Sequence, residues 1–360
     1  MARNQQKISD RTLLLLTILF TISGVVFIAD ASAPTALQNF SDKFYFAKQQ
    51  ALWGVVGLLA LIVTSKINLK FVERFSSFIF WSNVLLMVLV LVPQFGLKTL
   101  GARRWFSLFG VSIQPAELMK LSLTLYFAKL SANKKSIYAF LVPLALVVGL
   151  IMLQPDLGTA VILCVIALSQ MFISGFSVIS FFVVGLLGMV SGMVLILSSE
   201  YRRDRLITFL NLTHDPQDRS YHIRQVLLAL GSGGIFGVGL GQSRQKYLFL
   251  PEAATDSIFA VIAEETGFVG GLILIVFFII FIFRCLRLAS VTTDRFLHIL
   301  VVGITAWIGG QAVLNMASMV SLVPLTGIPL PFLSYGGSSL LSILAAVGIL
   351  LNISKHYGKS

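Results

Sequence analysis

Long apolar runs alternate with short polar connections along the whole chain, at approximately 12–30, 45–65, 75–93, 114–130, 136–153, 157–174, 177–197, 256–284, 296–320 and 336–353. A helix needs about 20 such residues to cross roughly 30 Å of hydrocarbon. The alternating ten-residue segments that mark a membrane barrel do not occur. The pattern therefore predicts an all-α, polytopic integral membrane protein with about ten transmembrane helices. Composition agrees, because 57% of the 360 residues are hydrophobic and only 12% are charged, which excludes an ordinary soluble domain.

An even number of spans leaves both termini on one side, and the distribution of cations says which. Loops on that side carry Arg3, Lys7, Arg11, Lys66, Lys70, Arg74, Lys129, Lys134, Lys135, Arg284, Arg287, Arg295, Lys355 and Lys359, whereas the short loops opposite carry Lys43, Lys48, Lys98, Arg103 and Arg104. The bias predicts cytoplasmic termini. The net charge of +12 follows from these flanks meeting anionic lipid and gives no support to nucleic-acid binding. Cys164 and Cys285 fall inside spans and read as small apolar residues, without a disulfide or thiolate framework. Ala29-Asp30-Ala31 and Ala31-Ser32-Ala33 resemble signal-peptidase sites, but the preceding apolar run exceeds the roughly 7 to 15 residues of a signal core, so the first helix is expected to be retained. The expected organisation is one membrane domain over 1–360, with a long extracytoplasmic loop at 198–255 between the seventh and eighth spans.

That loop contains Arg202, Arg203, Arg205, Arg219, Arg224, Arg244 and Lys246. Long loops escape the topology rule, so these cations need another account. Apolar residues at Leu206, Ile207, Phe209 and Leu210, and again at Ile223, Val226, Leu227 and Leu230, suggest two short helices in the headgroup layer; a solvated loop meeting lipid phosphates is the alternative. Glycines 231, 233, 234, 237, 239 and 241, followed by Arg244 and Lys246, admit a phosphate cradle, although they do not match P-loop spacing and are equally simple turns. A second cluster, Pro324 through Ser339, leads into the last helix, whose free N–H groups near Ser338 favour an anion; the alternative is a rigid prolyl loop capped by serine.

Ionised residues at membrane depth are costly and are functional candidates for that reason. Glu117 and Lys120 sit three apart on one helix face, either as a mutually stabilising pair or as a cation for phosphate and an acid for metal. Asp156, in Gln154-Pro155-Asp156, suits a helix N-cap. Asp256, preceded by Thr255 at the start of the eighth span, suits the same role, but the cationic loop that runs into it favours function. Glu264 is expected within about 80° of Asp256 and roughly 12 Å deeper, and Glu265 on the opposite face, so that only one glutamate shares the aspartate's cleft and both serve packing or an internal polar partner.

Several long motifs in order resemble the SEDS family of shape, elongation, division and sporulation proteins. They are Gly101-Ala102-Arg103-Arg104-Trp105, Gln114-Pro115-Ala116-Glu117 with Lys120, Gln154 through Thr159, Gly241 through Lys246, Leu250-Pro251-Glu252 through Asp256, and Pro329 through Ser339. Ser243-Arg244-Gln245-Lys246 looks more like the FtsW and sporulation branch than the RodA branch. The resemblance implies a peptidoglycan glycosyltransferase that polymerises lipid II on the extracytoplasmic face of the bacterial cytoplasmic membrane. It also implies a divalent cation (Mg²⁺ or Mn²⁺), undecaprenyl-diphosphate-linked glycan, a class B penicillin-binding transpeptidase and other division or elongation proteins as cofactor and partners. By position Asp256 matches the family's essential aspartate, Glu117 and Lys120 its polar pair, and Arg103 and Arg104 its first-loop arginines. Many members have His-Thr-Asp-Phe where this chain has Ala254-Thr255-Asp256-Ser257, which puts the local hydrogen bonding in question.

Inverting transfer from a lipid diphosphate to a sugar hydroxyl needs one base and cations for the leaving group, unlike glycoside hydrolysis with its two carboxylates. The expected set is Asp256 as catalytic base or metal ligand; Arg103, Arg104, Lys120, Arg205, Arg244, Lys246 and Ser338 toward substrate; and Glu117, Asp156 and Glu264 in support. Two other classes remain open on sequence, a lipid-linked precursor flippase using the buried charges, and a non-catalytic scaffold for division or elongation.

Overall fold

The computed structural model describes residues 10–99, 102–108, 111–133, 136–197, 203, 221–247 and 249–357. A helix coincides with each predicted run: α1 (Arg11–Ala31), α3 (Tyr45–Thr64), α4 (Leu69–Leu91), α5 (Pro115–Ala132), α6 (Tyr138–Leu153), α7 (Leu157–Ile173), α8 (Val178–Leu197), α10 (Ile258–Val291), α11 (Arg295–Met319) and α12 (Gly337–Tyr357). Two shorter helices, α2 (Ala33–Phe40) and α9 (Tyr221–Gly233), complete the helical set among the described residues. Six of these helices are long and apolar enough to cross a membrane, and α6 and α7 are shorter apolar helices. The expected helix at 206–210 lies outside the described residues, while the spacing of Ile223, Val226 and Leu230 is indeed helical, within α9.

The centre of the bundle is made by α5, α7, α11 and α12, with Trp307, Phe127, Met119 and Ile343 fully enclosed. The first helix belongs to the same core: Phe20 stacks on Phe278 of α10 at 4.6 Å between ring centroids and on Phe332 at 5.5 Å. One end of the bundle is fastened by cations and amides, through Arg284 to Asp10, Lys355 to the Ser65 carbonyl and Asn352 to the carbonyls of Thr64 and Ile67. Loops of the other end carry Asp256, the prolyl segment and the Gln154 turn.

One part of that second end was not foreseen. The connection from α4 to α5 is a three-stranded antiparallel meander, β1 (Gly96–Thr99), β2 (Ala102–Leu108) and β3 (Val111–Ile113), in the order β1-β2-β3. Its register pairs Leu97 with Trp105 and Ser107 with Ser112. A sheet of this size needs a surface to lie on, and it is pinned by Arg104. The guanidinium Nε donates to the Gln154 carbonyl at 2.6 Å and Nη2 to the Pro155 carbonyl at 2.8 Å, which satisfies the carbonyls at the end of α6.

The second departure is in α10, which breaks at Gly267 (φ 72°, ψ −171°). A break inside an apolar helix strands backbone groups away from water, each at a cost of several kcal/mol unless another segment bonds them. The glycine-rich loop does so. Val238 and Gly239 donate to the carbonyls of Glu264 and Glu265 at 3.0 and 3.1 Å, and the N–H groups of Phe268 and Val269 donate to the carbonyls of Gly234 and Ile235 at 2.9 and 3.1 Å. Such closeness excludes side chains: a Cβ on Gly237, whose φ is +84°, would lie 2.1 Å from the Glu265 carbonyl oxygen. Gly237→Ala is therefore expected to destabilise the protein by about 3 kcal/mol or more. Gly231→Ala, in open space on α9, should be neutral or stabilising by about 0.5–1 kcal/mol. Thermal unfolding of both purified variants in detergent checks the contrast.

Candidate functional site

Asp256 is half-buried in a tight turn immediately ahead of α10. It is not the helix cap, since α10 begins at Ile258 and Ser257 occupies the capping position. The turn is closed by Thr255 and Ser257, both of whose N–H groups donate to the Glu252 carbonyl at 3.1 Å, and by the Thr255 hydroxyl, which donates to the Glu252 carboxylate at 2.7 Å. The Ser257 hydroxyl donates to the Pro251 carbonyl at 3.1 Å, and the His222 imidazole of α9 lies 2.8 Å from the same oxygen. Ser257 and His222 thus make the local hydrogen bonds that the replacement of the family's usual residues had left in question.

The prolyl segment between α11 and α12 holds the same turn from the other side. The Asn315 amide, fully buried in α11, donates both to the Asp256 carbonyl at 2.8 Å and to the Ile328 carbonyl at 2.7 Å. The Ser334 hydroxyl donates to the Thr255 carbonyl, and the Tyr335 N–H donates to the Ala254 carbonyl at 2.8 Å. Gln50 of α3 bridges the Ser334 carbonyl and the Gly336 N–H. Asn315, Ser334, Gln50 and His222 were all missed by the sequence reading. The signal for the amides was a lone Gln or Asn inside an apolar run, which must find a polar partner when buried.

Glu117 and Lys120 form a buried pair at 2.6 Å. The Lys120 ammonium also donates to Gln311 Oε1 at 3.0 Å, and the Gln311 amide passes the connection to the Pro329 carbonyl at 2.8 Å. Being 1% exposed, Lys120 is a strut under the prolyl segment, not the open phosphate contact that was expected. Ser338, 2% exposed, also differs from expectation. Its hydroxyl accepts from the Gln114 N–H at 3.0 Å and so joins the start of α12 to the residue before α5. Asp156 caps α7 by accepting from the Thr159 N–H and hydroxyl at 3.0 and 2.9 Å. Arg104 is used by the α6 carbonyls, as described above. The guanidinium groups of Arg103 and Arg244 make no hydrogen bond or ion pair among the described residues and are open to an anion. Arg205 lies outside the described residues.

The two glutamates do not divide between opposite environments. Both grip the glycine-rich loop: Glu264 accepts from the Ser243 hydroxyl and the Arg244 N–H, the latter at 3.0 Å, and Glu265 accepts from the Ser243 N–H at 3.1 Å. The loop is an anion cradle, but its anions are these two carboxylates of α10 and not a phosphate. A loop can wrap both faces of one helix turn, a possibility that helical-wheel angles alone omit.

The chain matches the Cell cycle protein family model of FtsW, RodA and SpoVE over residues 10–359. It belongs to this family, the SEDS proteins. Stage V sporulation protein E of Bacillus subtilis is 39% identical over 355 residues, covering 96% of this chain and 97% of that protein. The probable peptidoglycan glycosyltransferase FtsW of Trichlorobacter lovleyi is 40% identical over 354 residues, covering 96% and 93%. Among solved structures, a chain from work on the structural coordination of polymerization and crosslinking by a peptidoglycan synthase complex superposes with TM-score 0.79 at 27% identity, covering 98% of this chain and 99% of that one. Thermus thermophilus rod shape determining protein RodA superposes with TM-score 0.72 at 26% identity, covering 98% of each. These relatives place the chain on the FtsW-like side of the SEDS family, as the 243–246 segment suggested.

In this SEDS chain Lys246, assigned to substrate on sequence, is instead a buried tie. Its ammonium is 3% exposed and pairs with both oxygens of Asp30 at 2.7 and 2.8 Å and with Glu265 at 2.9 Å, linking the end of α1 to α10. Burial works against the charge on Lys246, but the hydrogen bonds from Asp30 and Glu265 outweigh it and hold the pKa above its ordinary 10.5. Its stabilising contribution is therefore complete below about pH 10 and is lost as pH rises through the folded value. Lys246→Met, which leaves two carboxylates uncompensated, should cost about 3 kcal/mol in unfolding experiments, whereas Arg244→Gln at an exposed position should change stability by less than about 0.5 kcal/mol.

Proposed function

We infer that the protein is a peptidoglycan glycosyltransferase that polymerises lipid II into glycan strands. The observation that carries the assignment of roles is the fixing of Asp256: its own carbonyl and those of its neighbours are tied to α11 and to the prolyl segment, while the residue itself is half-exposed at the loop end of the bundle. A carboxylate held on so immobile a backbone keeps its reach to a bound hydroxyl without reorganisation.

The acceptor sugar's 4-hydroxyl oxygen forms the new bond to the donor anomeric carbon as the bond from that carbon to the lipid diphosphate breaks, with inversion. Asp256 takes the hydroxyl proton. The diphosphate leaves as an anion, and Arg103 and Arg244, with unpaired guanidinium groups among the described residues, are suited to receive it by bidentate hydrogen bonds. Among the described residues no three His, Cys, Asp or Glu side chains converge to hold a metal. An ion of the Mg²⁺ type, which binds through one or two carboxylates together with substrate phosphates, would take Asp256 as its protein ligand. Such an ion would supply charge neutralisation on the diphosphate. The cation excess on the opposite loops supports an extracytoplasmic placement of this end in the bacterial inner membrane, and the synthase-complex neighbour supports a class B penicillin-binding transpeptidase as partner.

Purified protein, alone and with its transpeptidase, should convert lipid II to glycan polymer in Mg²⁺, and chelation should stop it. Asp256→Asn should retain its melting temperature and lose polymer by at least about 10²-fold. Substantial polymer from that variant would overturn the role of Asp256. Lipid translocation without polymer in defined liposomes would select the flippase instead.

A further inference from the structure

Among the ties that hold the backbone around Asp256, three differ in origin. Asn315 on the Asp256 carbonyl and Ser334 on the Thr255 carbonyl come from the bundle and its prolyl segment. The third comes from α9, through His222 Nε2 at 2.8 Å from Ser257 Oγ. One arrangement of protons serves both contacts of the Ser257 hydroxyl. A serine hydroxyl has one proton, and Ser257 directs it to the Pro251 carbonyl at 3.1 Å, so the Ser257 oxygen accepts and the imidazole donates. In that arrangement His222 carries its proton on Nε2. Ser257 is fully buried, so no water replaces this donor if it is removed.

The connection has a mechanical meaning. One side of α9, with Ile223, Val226 and Ala229 buried, packs against α10, and the helix leads directly into the glycine loop that closes the break at Gly267. Ser257 is bonded covalently to Asp256. A group on α9 thereby anchors the residue on the C-terminal side of Asp256, while Asn315 holds the carbonyl of the peptide that joins the two.

We propose that His222 is a positioning residue for glycosyl transfer, its Nε2–H holding Ser257 so that the Asp256 carboxylate is directed at the acceptor hydroxyl. The proposal rests on the glycosyltransferase reading above, and the experiment separates the two. Wild-type protein is first assayed with lipid II and Mg²⁺; failure to form polymer would remove the reading itself, whatever His222 does. Steady-state rates are then measured for His222→Ala, His222→Gln, Ser257→Ala and the His222→Ala/Ser257→Ala double variant, with melting temperatures in the same detergent.

Loss of one hydrogen bond from a rigid site should lower kcat about tenfold in each single alanine variant, with KM and melting temperature unchanged. The double variant should be no slower than Ser257→Ala, because that variant already removes the His222 contact. His222→Gln, which presents an amide donor at similar reach, should recover most of the rate. Multiplying losses in the double variant, an effect on KM alone, or a glutamine variant no better than alanine would each overturn the proposal. If His222→Ala does not fold, Ser257→Ala and His222→Gln give the same comparison.

Discussion

The break in α10 is the constraint on which the loop end of this protein depends. A helix interrupted in an apolar bundle must have its freed carbonyls and N–H groups bonded by something other than water. Here residues 234–239 supply those bonds by main chain alone, and Glu264 and Glu265, the last carboxylates before the break, bind the following residues 243 and 244. The arrangement is reciprocal: the loop repairs the helix, and the helix orders the loop. Lys246 then extends the same assembly to α1 through Asp30. From there only a few residues separate the assembly from the turn that carries Asp256.

The prolyl segment plays the complementary part. It lies between α11 and α12 with little regular structure, so its own backbone groups require partners, and α3, α11 and the Asp256 turn provide them through Gln50, Gln311, Asn315 and the Ala254 carbonyl. The buried Glu117–Lys120 pair is joined to this system through Gln311. Charges that are expensive in an apolar setting accordingly have internal ionic partners, although Glu117 Oε2 is buried without a hydrogen bond among the described residues.

Much of the helical framework was legible in the sequence because run length alone identifies a membrane-crossing helix, and each run proved helical. The sheet after α4 was not, because its strands are only 4, 7 and 3 residues long, too short for alternation to stand out beside the paired arginines. The site was legible in its residue types more than in their uses. Asp256 could be singled out as a carboxylate at a loop–helix junction, but Lys246, Lys120, Arg104 and Ser338 proved to be fastened inside the protein. Their partners, Asp30, Gln311, the Gln154 carbonyl and the Gln114 N–H, come from segments far away in sequence, which local patterns do not report. Asp30 itself lay in a tripeptide read only as a possible cleavage site.

Asn315 uses one amide group to grasp two strands of chain at once. Neither proton can be released without giving up a bond to one of the two carbonyls, so the aspartate turn and the prolyl segment are tied to each other. Any guest that pries the proline-rich flap outward must carry the carboxylate along with it, which makes the opening of this end and the aim of its acid the same motion.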